Sequence, residues 1–353
     1  MFPSLHPGIA AALASALLFG AGTPLAKLLL DDVSPWMLAG LLYLGSGLGL
    51  AVYRLLRRSA WPALRRDEWG WLALAVILGG GVGPVLLMVG LSGLSASHVA
   101  LMLNAEAVFT ALLAWLVFRE NVDRRVALGM AVIVAGALLL SWPARGLPGA
   151  DVTWPTLWPA LAVLGACLAW GLDNNFTRKV SLQDASWIAC VKGLVAGSVN
   201  LALALALGAH WPAAGPAAAA MGVGLLAYGV SLALFVVGLR HLGASRAGAY
   251  FSTSPFVGAL VAVLLLAEPV TWQLAAAAAL MGLGVWLHLT ESHAHDHQHD
   301  ALEHAHLHSH DAHHQHTHAD GTPQTAVHAH PHRHEPLLHH HPHYPDAHHR
   351  HGH

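Results

Sequence analysis

Charge is scarce in this chain. Asp, Glu, Lys and Arg together make up 10% of its 353 residues, against about 25% in an ordinary soluble domain. That shortage excludes a large water-facing globular protein, and the 55% hydrophobic content points to a membrane class. Cysteine is equally short. Cys167 and Cys190 lie inside apolar runs and form no CxxC pair, so no disulfide framework is expected and both read as small buried hydrophobes. No basic leader precedes the first apolar run, and many runs follow it, so a cleavable signal peptide is not expected. No nucleophile–base pair or metal-hydrolase motif appears, which argues against an enzyme. The basic residues are spread over short loops, which argues against nucleic acid.

What the sequence does have is long apolar runs. A bilayer-spanning helix needs about 20 apolar residues. Ten runs qualify: 8–30, 35–56, 69–91, 97–118, 124–142, 155–177, 185–207, 217–239, 245–267 and 271–289. Tryptophans mark their edges as an interfacial belt does: Trp36, Trp69, Trp142, Trp154, Trp187, Trp211 and Trp272. Basic residues alternate between loops. Arg54, Arg57, Arg58, Arg65 and Arg66 follow the second span, and Arg119, Arg124 and Arg125 the fourth. Arg178 and Lys179 follow the sixth, and Arg240 and Arg246 the eighth, while the intervening loops hold little beyond Arg145. Positive loops stay inside, so both termini are expected in the cytoplasm of a bacterial-type inner membrane.

The two halves of the chain repeat. "GLSGLSASHVALMLNAEAVFTALLAWLVFRENV" from Gly90 matches "GLRHLGASRAGAYFSTSPFVGALVAVLLLAEPV" from Gly238 at a shift of 148. Ala96 and Ser97 meet Ala244 and Ser245, Glu120 meets Glu268, and further on Gly136 meets Gly284. "LLFGAGTPLAK" answers "LAWGLDNNFTR", aligning Gly20 with Gly171 and Lys27 with Arg178. A repeat of five spans is odd in number, so the second copy inserts upside down. Inverted repeats build secondary transporters, with the site between the halves near the midplane. The expected fold is an all-α integral membrane protein of ten transmembrane helices in two inverted five-helix repeats, 8–142 and 155–289, followed by a disordered His-rich cytoplasmic tail, 291–353.

The helix ends "AVFTALLAWLVFRE" and "SPFVGALVAVLLLAE", with a glycine and a basic residue in the first and sixth spans, resemble the EamA family of the drug/metabolite transporter superfamily over about residues 8–289. The resemblance implies an exporter of metabolites, amino acids or drugs run on the proton gradient, without naming a substrate. One position departs. The ninth span has the expected Pro255, while the fourth has Ala107 there, preceded by Glu106.

Glu106 is the sharpest candidate. A charge mid-span costs about 2.5–3.5 kcal/mol on insertion scales, so it needs a cavity or a partner. Burial disfavours the ionised form, which suits a proton carrier; the alternative is a carboxyl locked in a structural hydrogen bond. Asn104 lies two residues back and His98 eight back, and since residues at i and i+8 share a helix face approximately, His98 and Glu106 are expected to line one cavity. Asp173, Asn174 and Asn175 in "WGLDNNFTRK" form a polar cluster at similar depth to Lys192, either an Asp173–Lys192 pair or a substrate vestibule. Lys27 snorkels or attracts an anion, and Tyr228 and Tyr250 line the cavity or simply pack. Glu120 and Glu268 are candidate matched gates. "GGGVGP", residues 79–84, lacks the Lys-Ser/Thr of a phosphate loop and reads as a kink in the third span.

From His293 onward the chain holds 24 of its 29 histidines, mostly as His-x-His. Few large apolar residues accompany them, so no folded core is expected. Imidazole is a common zinc, nickel, cobalt and copper ligand. His293, His295, His297, His299, His304, His306, His308 and His310 are the leading metal candidates, although no cofactor is required for transport. The function expected is a proton-coupled exporter of a small polar metabolite or drug-like compound, working by alternating access around a site lined by spans 1, 3, 4, 6, 8 and 9. The alternative is a divalent-metal exporter fed or regulated by the tail. A receptor or metal store merely anchored by the spans is a third possibility, for which ten spans are excessive. Expected partners are the small-molecule or ion substrate, membrane lipid and, left open, a second copy of the chain in a homodimer.

Overall fold

A computed structural model describes residues 7–59, 68–117, 124–141, 154–177, 180, 184–238, 250–289, 293–299, 302–308, 328–334 and 337–343. The chain divides into two units, Met1–Glu291 and Ser292–His353.

The first unit is helical. In order its helices are α1 (Pro7–Leu29), α2 (Pro35–Leu56), α3 (Glu68–Gly93), α4 (Ala96–Met102), α5 (Ala105–Leu116), α6 (Arg124–Ser141), α7 (Trp154–Thr177), α8 (Ala185–Ala206), α9 (Ala214–Gly238), α10 (Ser254–Leu265) and α11 (Trp272–Leu289). Among the described residues, seven helical stretches are long and apolar enough to cross a membrane, and Ala127–Leu140, Ser254–Leu265 and Trp272–Leu287 are shorter apolar helices. The outer surface is hydrocarbon: Leu56 is 80% exposed, Leu264 74% and Trp272 70%. A water-soluble surface does not carry apolar area on this scale, and lipid is the solvent that suits it.

Local chemistry sets the helix ends. Ser34 is extended and Pro35 opens α2, where a missing N–H costs nothing. Asp184 caps α8 by accepting from the backbone N–H groups of Ser186 at 2.8 Å and Trp187 at 3.4 Å. The fourth span, expected as one helix, is broken between α4 and α5 at Leu103 and Asn104. The Asn104 side chain donates to the Leu101 carbonyl at 2.8 Å, a local bond that competes with the helical ladder. The ninth span breaks in the same manner before α10. Thr253 Oγ1 donates to the Tyr250 carbonyl at 2.6 Å, and Pro255 has no N–H to give. Two spans carry π-helical stretches, Val76–Val82 in α3 and Leu225–Val230 in α9.

Packing joins helices distant in sequence: α2 with α8, α6 with α11, α1 with α10 and α5 with α7. The α1–α10 contact is close because Gly20 has no side chain. A Cβ there would lie 2.3 Å from the Ser254 carbonyl oxygen. Gly171 plays the same part for α7, where a Cβ would lie 2.9 Å from Phe109 Cβ on α5. Cys167 and Cys190 are buried and free.

The second unit is described at four segments of the His-rich tail. It contains four strands, β1 (His293–His299), β2 (Leu302–His308), β3 (His328–His334) and β4 (Leu337–His343). β1 pairs antiparallel with β4, and β2 with β3. The His-x-His spacing has the period of two that a strand has.

Candidate functional site

One polar cluster sits where α5, α7 and α8 meet beside the π-helical stretch of α3. Glu106, half-buried in the first turn of α5, accepts a hydrogen bond from Asn174 Nδ2 at 2.8 Å, and the same amide reaches Thr110 Oγ1 at 3.2 Å. One residue earlier, Asp173 is buried and ion-paired with Lys192 Nζ, and its other oxygen accepts from Thr177 Oγ1 at 2.9 Å. The two members of this pair neutralise each other, as burial of charge requires. Asn175 is spent on backbone, donating to the Gly171 carbonyl at 2.8 Å and the Thr110 carbonyl at 3.2 Å.

The α3 π-helical stretch explains the close fit on the other side. Gly79 lies against Asp173, and a Cβ on it would fall 1.8 Å from the Asp173 Oδ2 atom. The carbonyls loosened from the helical ladder find side-chain donors. Tyr43 OH donates to the Gly79 oxygen at 2.8 Å, Trp170 Nε1 to the same oxygen at 2.9 Å, and Asn200 Nδ2 to the Gly80 oxygen at 3.0 Å. π-Bulges recur at functional sites. Tyr43 leads to an aromatic wall: its ring lies 5.5 Å from Tyr228, Tyr228 lies 5.7 Å from Phe19, and Phe19 lies 5.3 Å from Phe251. Phe19 also lines a small pocket with Gly20, Thr23, Ala100, Leu103, Ser254 and Pro255, where the two broken spans face α1.

A second cluster holds other candidates. Glu268 accepts from the backbone N–H groups of Ala96 at 2.7 Å and Ser97 at 2.9 Å. His98 Nδ1 is 2.5 Å from Ser95 Oγ, and Glu268 is the charge that acts on it. Lys27 donates to the Leu91 carbonyl at 2.5 Å and the Leu94 carbonyl at 2.9 Å.

The structure therefore divides the sequence candidates. Glu106, Asp173, Asn174 and Lys192 come together, with Tyr228 nearby. His98 does not join Glu106, because the break at Asn104 spoils the eight-residue face and His98 is engaged with Ser95. Asn104 is buried and turned to Leu101 and, at 3.9 Å, to Met281 Sδ, so it is a structural bond-former. Lys27 is tied to backbone carbonyls instead of reaching for the interface. Tyr250 contributes its carbonyl to the α10 break. Glu120, Arg178 and His310 lie outside the described residues. Sequence reasoning missed Tyr43, Thr110, Trp170 and Asn200. Asn200 and Tyr43 had a signal, each being a polar group inside an apolar span.

These features define an integral membrane protein whose first unit is a bundle of apolar helices with a polar cluster among them. The chain belongs to the EamA-like transporter family, whose model matches residues 6–142 and again residues 157–290. It is 28% identical over 300 residues to an uncharacterized transporter of Methanothermobacter thermautotrophicus, covering 79% of this chain and 85% of that one. It is also 38% identical over 109 residues to a probable 4-amino-4-deoxy-L-arabinose-phosphoundecaprenol flippase subunit ArnE of Pseudomonas paraeruginosa, covering 30% of this chain and 92% of that one. A solved crystal structure overlays with a TM-score of 0.59 at 16% identity, covering 80% of this chain and 96% of that one, a likeness of fold. In general terms the protein is a membrane transporter.

Proposed function

We propose that the protein is a secondary active transporter that exports a small polar metabolite or drug-like compound in exchange for protons. The observation that carries this reading is Glu106: a carboxylate inside an apolar bundle, hydrogen-bonded by Asn174 and set beside the neutralised Asp173–Lys192 pair. Such a group can take up a proton or release it to a partner without unfolding anything around it.

Alternating access follows from the inverted repeat, 8–142 and 155–289, of ten spans. Four features support that repeat. The π-helical stretches at Val76–Val82 and Leu225–Val230 coincide within a residue at the shift of 148 found in the sequence. The helix breaks at Asn104 and Thr253 coincide as closely. Gly20 seats α1 on α10 as Gly171 seats α7 on α5. The family model also matches twice. Broken helices and a midplane site between repeats are the working parts of many such transporters. The loop charges favour an inner-membrane orientation with both termini in the cytoplasm.

The test is infrared difference spectroscopy of the reconstituted chain between mildly acidic and mildly alkaline buffer. A protonated-carboxyl band that titrates and disappears in Glu106→Gln supports the role. An identical spectrum in the variant removes it.

A second reading makes a divalent metal the cargo, with the tail feeding it. Its favouring observation is register: His293, His295 and His297 stand opposite His343, His341 and His339, and His304, His306 and His308 opposite His332, His330 and His328. Against it, no group of three His, Cys, Asp or Glu residues that could hold a metal occurs among the described residues. Metal binding by the tail as a separate property stands with either cargo, and whole-cell metal content separates the readings.

A further inference from the structure

We propose that the two ladders of the tail are a pair of metal sites. Each takes one divalent ion of the borderline class, zinc, nickel or copper, between imidazoles of neighbouring rungs, and the ion fastens the two strands together. This rests on the reading of the tail as a metal binder, and it names the histidines, the number of ions and what binding does to the chain. It holds whichever cargo the helical unit carries.

In the β1–β4 ladder, histidine meets histidine at every second rung: His293 opposite His343, His295 opposite His341 and His297 opposite His339. The β2–β3 ladder repeats this with His304 opposite His332, His306 opposite His330 and His308 opposite His328. Alternate residues of a strand share a face, so each ladder gathers six histidine positions on one face. The rungs between them carry no histidine pair: Ala294 stands opposite Pro342, Asp296 opposite His340, Ala305 opposite Pro331 and Leu307 opposite Ala329. Glu303 stands opposite Arg333, an opposite-charge rung that favours this same register. The rungs Gln298–Leu338, His299–Leu337, Leu302–His334 and Glu303–Arg333 lie between the two histidine groups, so they form two sites and not one.

Ladder geometry limits the ligand count. Residues opposite each other in an antiparallel pair have Cβ atoms about 5 Å apart, and alternate residues of a strand are about 7 Å apart. One rung therefore supplies two imidazoles, and an ion seated between two rungs draws on four. Four ligands suit zinc, and nitrogen sets suit nickel and copper as well. Two such ions in one group would need more imidazoles than its three rungs hold, so each ladder takes one. The ion has to assemble its site, since among the described residues no group of three His, Cys, Asp or Glu is already placed to hold a metal. Hard ions such as magnesium and calcium prefer oxygen. The ion also supplies what the ladders lack. A two-stranded pairing is marginal at best in water, and β2 is joined to β3 only through residues 309–327, whose closure costs entropy. Binding that needs the paired strands stabilises the pairing.

The experiment is equilibrium titration of the purified full chain, stripped of metal and held in detergent in mildly alkaline buffer, with zinc, nickel and copper(II) salts. The expected result is two tight equivalents that a chain cut after Glu291 lacks and that magnesium and calcium do not displace. Any two neighbouring rungs of a group include the middle one. His295→Asn with His341→Asn should therefore weaken one equivalent roughly tenfold or more, the loss that follows even from removing a ligand's outer partner. His306→Asn with His330→Asn should do the same to the other. His348→Asn with His349→Asn, outside the four strands, removes as many histidines and should leave both. Ala294→His with His295→Ala keeps the histidine count but moves one off the alternation, and it should weaken the first site as well. Closure is read from nitroxides on Ala294→Cys and Pro342→Cys, the two residues of one rung, in the chain freed of Cys167 and Cys190. Zinc, which is diamagnetic, should bring on dipolar broadening that a chelator removes. Tight equivalents that survive loss of both middle rungs, that ignore the exchange at 294 and 295, or that leave the labels apart overturn the ladder sites, while the tail remains a metal binder. No tight equivalent beyond those of the truncated chain overturns metal binding by the tail itself.

Discussion

Arg54 shows what a single residue conceals in sequence. Its place after an apolar run reads as a loop charge that orients the membrane. In the structure it belongs to the last turn of α2 and is 1% exposed, donating to Ser186 Oγ at 2.6 Å and pairing with Asp184 at 3.1 Å. The partners come from the start of α8, 130 positions or more along the chain, and no local pattern announces them. Glu106 was legible for the opposite reason, since one carboxylate in an apolar run stands out without any partner. Asp184 gives a test. Burial pushes its carboxyl up, but hydrogen bonds from Ser186 and Arg54 outweigh that and hold it below the ordinary value. A lowered carboxylate stabilises the fold above its ordinary range and ceases to do so as pH falls through the folded-state value. Asp184→Ala should therefore cost roughly 1 kcal/mol through the lost cap and ion pair at neutral pH. Thermal unfolding in detergent should show the gap to the parent narrowing in strongly acidic buffer. A gap independent of pH would remove the charge from the explanation.

The helices were legible because hydropathy fixes where a chain can cross lipid. What was hidden was their interior geometry. The break at Asn104 depends on one side-chain bond, and the π-helical stretches of α3 and α9 add a residue to a turn without altering the apolar content. The break at Asn104 lies between His98 and Glu106, which is why these two residues occupy separate clusters and share no helix face. The tail presents a different pattern. Its composition argued against any structure, while its spacing of two suits the ladders of β1 with β4 and β2 with β3. Elemental mass spectrometry of whole cells tests what these strands do. Cells carrying the intact chain should hold more bound nickel, zinc, cobalt or copper than cells carrying a chain cut after Glu291, with Glu106→Gln making no difference. A fall in one metal that needs Glu106 makes that metal the cargo, and the organic-substrate reading falls.

At the scale of the whole molecule, the proposed alternating access makes the two polar clusters features of one of its states. Glu268, from the segment between α10 and α11, is bonded to the first two N–H groups of α4, and Lys27 holds the end of α3 from α1. Together these bonds fasten that end of the bundle. A hydrogen bond to a charged group contributes about 1.5–3 kcal/mol, a range in which protonation elsewhere can shift the population. The central claim is that the state of Glu106 decides whether this end opens. The most direct measurement is the distance between spin labels at Ser92 and Val270, both exposed and flanking the Glu268 contact, in the reconstituted chain freed of its two native cysteines. The account predicts two distance populations whose ratio changes with pH in the parent, and one fixed population in Glu106→Gln. A pH-dependent shift that survives in Glu106→Gln, or a parent whose distance never changes with pH, would contradict it.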